Sequence, residues 1–490
     1  MKKFCARFAV FVVITAGLLQ SQTATDSERI IAVALKPSSL EANLRRLTDE
    51  VGGRVPGTPA IERGVAWGVA AFRAAGGENV HTEEFQVPHS WAEGATRTSI
   101  VAPQQFAVHA VSLGWAPALA PHHRVRVIDV GQATPEEFSR AGQLAGDILL
   151  VHSSEMRTWE DLFSEYLNAP GIVDRAVKAK ALAIAFQSTR PNDLLYRHTN
   201  SIAGEIDRIP MVLVAREDAG RMARLLTSGQ SLYADLAIPN QIGGPINAAN
   251  VIAEIPGSEH PDQFVMLGAH LDSWELGTGA LDNGCNAALV VDTLRAIKDS
   301  GLRPRRTIRF ALFSGEEEGM LGSRAYVSAH RAELDKAVGV VIFDSGTGRT
   351  TGFSLGGRTD LVNAVTPLVA PLQVFGATTL TTDAQWGTDN FDFMLEGVPT
   401  FVANQEESNY LLNYHAQSDT FDKVDLRQLQ KHVAMAAELT FALANRSQPI
   451  GPRLDRRQIE QTLHHTGLDR QLQTFGIWQE WEQGKRGRTQ

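Results

Sequence analysis

The amino-acid sequence predicts an α/β fold, a mostly parallel mixed sheet flanked by helices and interrupted by a β-rich insertion, on three observations. Beyond residue 240, runs that are apolar along their whole length alternate with segments of helical period, as in a mainly parallel sheet covered on both faces. Between residues 124 and 240 the texture shifts to short β-rich runs separated by Gly, Pro and polar turns. A chain of 490 residues, 43% hydrophobic and 21% charged, has ordinary globular composition but exceeds what one core usually serves.

At the N-terminus, MKKFCAR, the apolar run Phe8–Leu19 and the polar QSQTATDS have the three-part layout of a secretory signal peptide. Residues 1–24 are therefore expected to be a leader, and the protein secreted or periplasmic. The run is too short to span a bilayer, and no other stretch approaches that length. In residues 25–123, the first part of the larger domain, Leu40, Leu44 and Leu47 recur at helical spacing, as do Ile61, Val65 and Phe72 after the break VGGRVPGTP. NVHTEEFQVP, residues 79–88, alternates like a strand.

Residues 124–240 carry VRVIDVG, GDILLVHS, ALAIAFQS and PMVLVAR, expected as strands of a self-contained insertion rather than as extensions of one sheet. Residues 241–450 hold the regular alternation: strands NVIAEI, QFVMLGAH, TIRFALFS, AVGVVIFD and VPTFVAN, with helices through AALVVDTLRAIK, near MLGSRAYVSAH and over Asp425–Ala444. Residues 451–490 read as a polar tail rich in Gln and Arg, and no internal repeat is visible.

The formal charge of -9, with Lys and Arg scattered rather than massed, lacks the electrostatic footprint of nucleic-acid or anionic-membrane binding. Of the two cysteines, Cys5 would leave with the leader, so no internal disulfide is expected, and Cys285 reads as a helix-packing residue. Thiolate metal sites are thereby excluded, leaving His, Asp and Glu as candidate ligands.

Ligands of open α/β folds gather at the carboxyl ends of strands. QFVMLGAH ends in His270, TIRFALFS leads through Gly315 to Glu316 and Glu317, and AVGVVIFD ends in Asp344. Asp282 opens the helix after the first of these strands, and His415 lies in the loop NYHAQSDTFD after the last. Taken singly, His415 reads as a solvated loop histidine, Asp282 and Asp344 as caps, and Glu316–Glu318 as an exposed acidic turn. Delivered together to one rim, they point to metal. Three carboxylates with two neutral imidazoles suit two divalent cations better than one, and this oxygen and nitrogen donor set suits zinc, with cobalt or manganese as substitutes.

The motifs HLD, ALDNG, GEEEG, FDSGTG and YHAQSDT, in that order, resemble the dinuclear zinc exopeptidases of the aminopeptidase and glutamate carboxypeptidase family, and within it the carboxypeptidase Q branch. The similarity continues through LTDEVGGRVPGT, PHSWAEG, GLRPRRTIR and GTDNFDFMLEGVP, covering most of residues 38–445. The resemblance implies that His270, Asp344, Glu317 and His415 hold two zinc ions bridged by Asp282. It further implies Glu316 as general base, Asp272 as support behind the ligands, and Tyr414 steadying the oxyanion. It also implies a homodimer, unblocked dipeptide or short-peptide substrates, and a protease-associated-like insertion. Two rival readings share the fold: a single-zinc glutaminyl cyclase, and a non-catalytic binding protein. The pair of histidines around Asp282 favours two ions over the first, and the presence of Glu316 with intact ligands argues against the second.

Overall fold

The computed structural model describes residues 24–489, so the proposed leader, apart from its last residue, lies outside the described residues. Two eight-stranded sheets organise the chain. In the larger, the order is Glu78–Val87, Ile246–Ile255, Arg306–Phe313, His260–His270, Ala337–Ile342, Thr400–Gln405, Thr350–Ser354 and Thr379–Thr381. The four strands from Arg306–Phe313 to Thr400–Gln405 run parallel, and antiparallel pairs enter at either side.

The side-chain period of two decides what each face of this sheet buries. Along His260–His270, Val265, Leu267 and Ala269 join the core beneath helices Cys285–Ser300 and Leu426–Asn445, whereas Phe264 and Met266 pack on the opposite face with Phe313, Tyr326 and Phe393. A strand apolar at both parities can only be satisfied this way, which is why the sequence pattern was informative. Asp425 caps the final long helix, its carboxylate accepting the N–H groups of Arg427 and Gln428.

The second sheet has the order Phe106–Val108, Arg97–Ala102, Leu232–Ile238, Leu119–Asp129, Ile148–Val151, Ala183–Gln187, Met211–Val214 and Ala110–Ser112. It starts at Arg97, upstream of the boundary at residue 124. Arg97–Ala102 pairs with Leu232–Ile238, a partner more than a hundred residues away that local patterning does not reveal. This region also contains the helix Trp159–Lys178, closed at its start by a reciprocal cap between Thr158 and Asp161. We call it the insertion helix.

The tail is helical too, over Arg456–Thr466, Leu468–Thr474 and Ile477–Glu482. Its polar composition hides an apolar seam: Ile459, Leu463, Leu472 and Trp481 bury against Phe391 and Leu395 of the larger domain. Arg486, 2% exposed, clamps Asp392 through two hydrogen bonds of 2.8 and 2.7 Å. Among the described residues no helix is long and apolar enough to cross a membrane.

Candidate metal centre

The carboxyl ends of the parallel strands deliver the candidate residues to one cavity of about 500 Å³, lined by His270, Asp282, Glu316, Glu317, Asp344, Tyr414 and His415 among others. Asp282 is central. One of its oxygens stands 3.1 Å from His270 Nε2, and the other 3.3 Å from His415 Nε2. Asp344 Oδ1 lies 3.0 Å from the first imidazole and Glu317 Oε2 2.8 Å from the second. The result is two groups of three donors, His270–Asp282–Asp344 and Asp282–Glu317–His415, in each of which the donor atoms lie within 4.8 Å of one another.

Surrounding groups aim these donors. The N–H at His270 Nδ1 donates to the Asp272 carbonyl at 3.1 Å, leaving Nε2 for the cavity. The Asp272 carboxylate accepts the Glu317 backbone N–H at 3.2 Å. Asn283 donates to Asp344 Oδ1 at 2.8 Å. The Asp419 carboxylate accepts the N–H groups of Leu281 and Asp282, at 2.6 and 3.1 Å. Beneath the turn, the buried Arg54 guanidinium donates to the carbonyls of Leu271, Thr278 and Gly279. His415 adopts φ 58°, a left-handed conformation uncommon outside glycine.

The region of the second sheet contributes directly. Tyr166 of the insertion helix shares a 3.1 Å hydrogen bond with the Tyr414 hydroxyl. Arg190, 1% exposed, donates to the Tyr414 carbonyl at 3.2 Å, and the Arg197 N–H donates to the His415 carbonyl at 3.0 Å. Sequence reasoning did not single out Tyr166, Arg54 or Asp419. The last two sit inside the motifs LTDEVGGRVPGT and YHAQSDT, whereas Tyr166 belongs to a helix that carries no motif.

The electrostatics fit bound positive charge. Burial raises the Glu317 carboxyl to about 7, Asp282 adding to the rise and His415 opposing it. Burial also pushes Glu316 well above the ordinary carboxylate range. Burial would lower His415, but Glu317 and Asp282 overcome it and hold the imidazole at about 9. Glu317 Oε1 is buried without a hydrogen-bond partner, an arrangement costly unless positive charge completes it. The donors present therefore suit a divalent metal centre. The candidate ligands, Glu316 and Tyr414 all line the cavity, whereas Asp272 stands behind it.

Known proteins resemble this chain in sequence and in fold. Residues 250–440 match the family model Peptidase family M28. Mouse (Mus musculus) carboxypeptidase Q is 28% identical over 401 residues, covering 81% of this chain and 84% of that protein. The crystal structure of a peptidase M28 precursor from Shewanella amazonensis superposes with a TM-score of 0.80 at 27% identity, covering 87% of this chain and 98% of that one. A zinc aminopeptidase from Bacillus subtilis shares the fold, with a TM-score of 0.64 at 17% identity over 85% of this chain and 97% of its own. Residues 250–440 thus form a Peptidase family M28 domain, in a chain homologous to carboxypeptidase Q over 81% of its length.

Proposed function

We propose that this protein is an exported dinuclear zinc exopeptidase that hydrolyses dipeptides or short peptides. The observation that carries the reading is Asp282, whose two oxygens face two different imidazoles, each backed by a further carboxylate. His270 and Asp344 would hold one ion and Glu317 and His415 the other, with Asp282 shared. Zinc in those positions would supply Lewis acidity, polarising a peptide carbonyl and lowering the pKa of water from ~16 to ~7.

The chain's own groups do the rest. Glu316 takes the proton of the attacking water and returns it to the leaving amine; burial, which favours its protonated form, suits it to the second half of that cycle. Tyr414 donates its hydroxyl to the oxyanion as charge develops there. Asp272 holds the His270 ring in the tautomer that presents Nε2. Among the described residues lining the cavity there is no Lys or Arg, while Asp383 adds a carboxylate beyond the site itself. That lining favours a substrate's free ammonium end over its free carboxylate.

The test is metal content and turnover on the same variants. Glu316→Gln is expected to keep both ions and lose kcat by several orders of magnitude, whereas His270→Ala loses metal first. Near-normal kcat in the Gln variant removes Glu316 from the mechanism, and an active wild-type protein free of transition metal sinks the reading altogether.

A further inference from the structure

Two segments far apart in the sequence meet at the candidate active-site cavity. The insertion helix lines it with Trp159, Leu162, Phe163 and Tyr166, and the tail helix Leu468–Thr474, which touches the insertion helix, lines it with Gln471. Trp386, on the loop before Phe391–Leu395, also lines the cavity. Its indole N–H donates to Gln471 Oε1 at 2.8 Å, and its ring packs against Phe475, centroids 4.4 Å apart. A half-buried tryptophan on a loop would ordinarily sample several rotamers, and holding it in one costs entropy that neighbouring contacts must offset. Here the tail supplies them: a hydrogen bond to the indole edge and a ring beside its face. The tail helices are in turn fixed to the larger domain by their apolar seam and by Arg486 on Asp392.

We infer that Trp386, braced by Gln471 and Phe475, is a length stop that closes the cleft and restricts substrates to dipeptides and other very short peptides. This rests on the exopeptidase reading and narrows it. The physical basis is steric: an extended peptide advances about 3.3 Å per residue, so an indole fixed in the cavity wall takes up space that roughly two further residues of substrate would need. Removing the ring, or the hydrogen bond that holds it, opens that path.

The experiment compares kcat/KM for Leu-Gly, Leu-Gly-Gly and Leu-Gly-Gly-Gly in the zinc-loaded full-length protein. The wild type is expected to prefer the dipeptide over the tetrapeptide at least tenfold. Trp386→Ala and Gln471→Ala are each expected to narrow that ratio at least fivefold, because a ratio cancels any general loss of activity. Trp386→Phe, which keeps a ring but loses the donor, should fall between. An unchanged ratio in Ala variants that melt near the wild-type temperature overturns the stop; if an Ala variant fails to fold, the Phe variant decides by the same ratio. A wild type that cleaves the tetrapeptide as fast as the dipeptide also overturns the stop, leaving the exopeptidase reading intact. If no peptide is cleaved, that reading falls instead, and calorimetric binding of the same series decides the stop: tighter binding of the dipeptide supports it, equal affinities overturn it.

Discussion

At the scale of single residues, the paired phenols are the most testable feature. Tyr414 stacks on His415, centroids 3.6 Å apart, and its hydroxyl meets Tyr166 at 3.1 Å. Loss of one oxyanion donor typically lowers kcat by about 10²–10³, and Tyr414→Phe is expected to fall in that range. Tyr166 acts through Tyr414, so Tyr166→Phe should lower kcat by about tenfold with KM little changed, and the double variant should be no slower than Tyr414→Phe alone. Steady-state kinetics on the four proteins of this cycle check the coupling; additive losses would mean that the two hydroxyls work independently. Motif spacing exposed Tyr414 because it precedes His415. Tyr166 is 248 positions away in the chain, and nothing local marks it.

At the scale of elements, the site is a set of strand ends and turns locked by buried polar groups. The loop carrying His415 and the turn carrying Asp282 are fastened to each other by Asp419, which accepts two backbone N–H groups of that turn. The two chains of backbone come so close that a Cβ at Gly277 would lie 2.6 Å from the Ala416 carbonyl oxygen. Asp419→Ala leaves two buried donors unpaired, at a cost of about 1–3 kcal/mol each, and frees Asp282 to drift. Metal affinity is expected to drop by about 10–100-fold, as when other groups that orient a ligand are lost, while Asp419→Asn, which keeps one acceptor oxygen, should drop less. Competitive chelator titration measures it, and equal affinity in the Ala variant would show that Asp282 is held by other means. The strands and their terminal residues were legible because apolar runs ending in an ionisable group are a local pattern. The seam of the tail was not, since Ile459, Leu463 and Leu472 lie in a segment whose overall composition is polar.

At the scale of the whole molecule, stability is tied to pH through a buried histidine that is not one of the candidate ligands. His432 is fully buried on the long helix Leu426–Asn445, and desolvation drops its imidazole from 6.5 to about 4, opposed by its hydrogen bond to the Gly348 carbonyl. The folded state thus resists a proton that the unfolded chain accepts. Its contribution is intact above pH 6.5 and is lost as the pH falls from there to 4, by about 3 kcal/mol over that window. Chemical denaturation of wild type and His432→Gln at pH 7 and pH 4 should show the acid-induced loss shrinking by about that amount in the variant. Equal losses in both proteins would assign the acid sensitivity to other groups.

The sequence alone was enough to establish the layered α/β architecture, the strand ends that carry His270, Glu317 and Asp344, and the motif order shared with the exopeptidase family, because each of these is written in contiguous residues. Tertiary structure decided that Asp282 faces both imidazoles, that Arg97–Ala102 belongs to the second sheet, and that Tyr166 and Gln471 stand at the same cavity. Those facts depend on how distant segments pack. Burial and hydrogen bonding between residues hundreds of positions apart determine them, and no local period or spacing encodes such pairings.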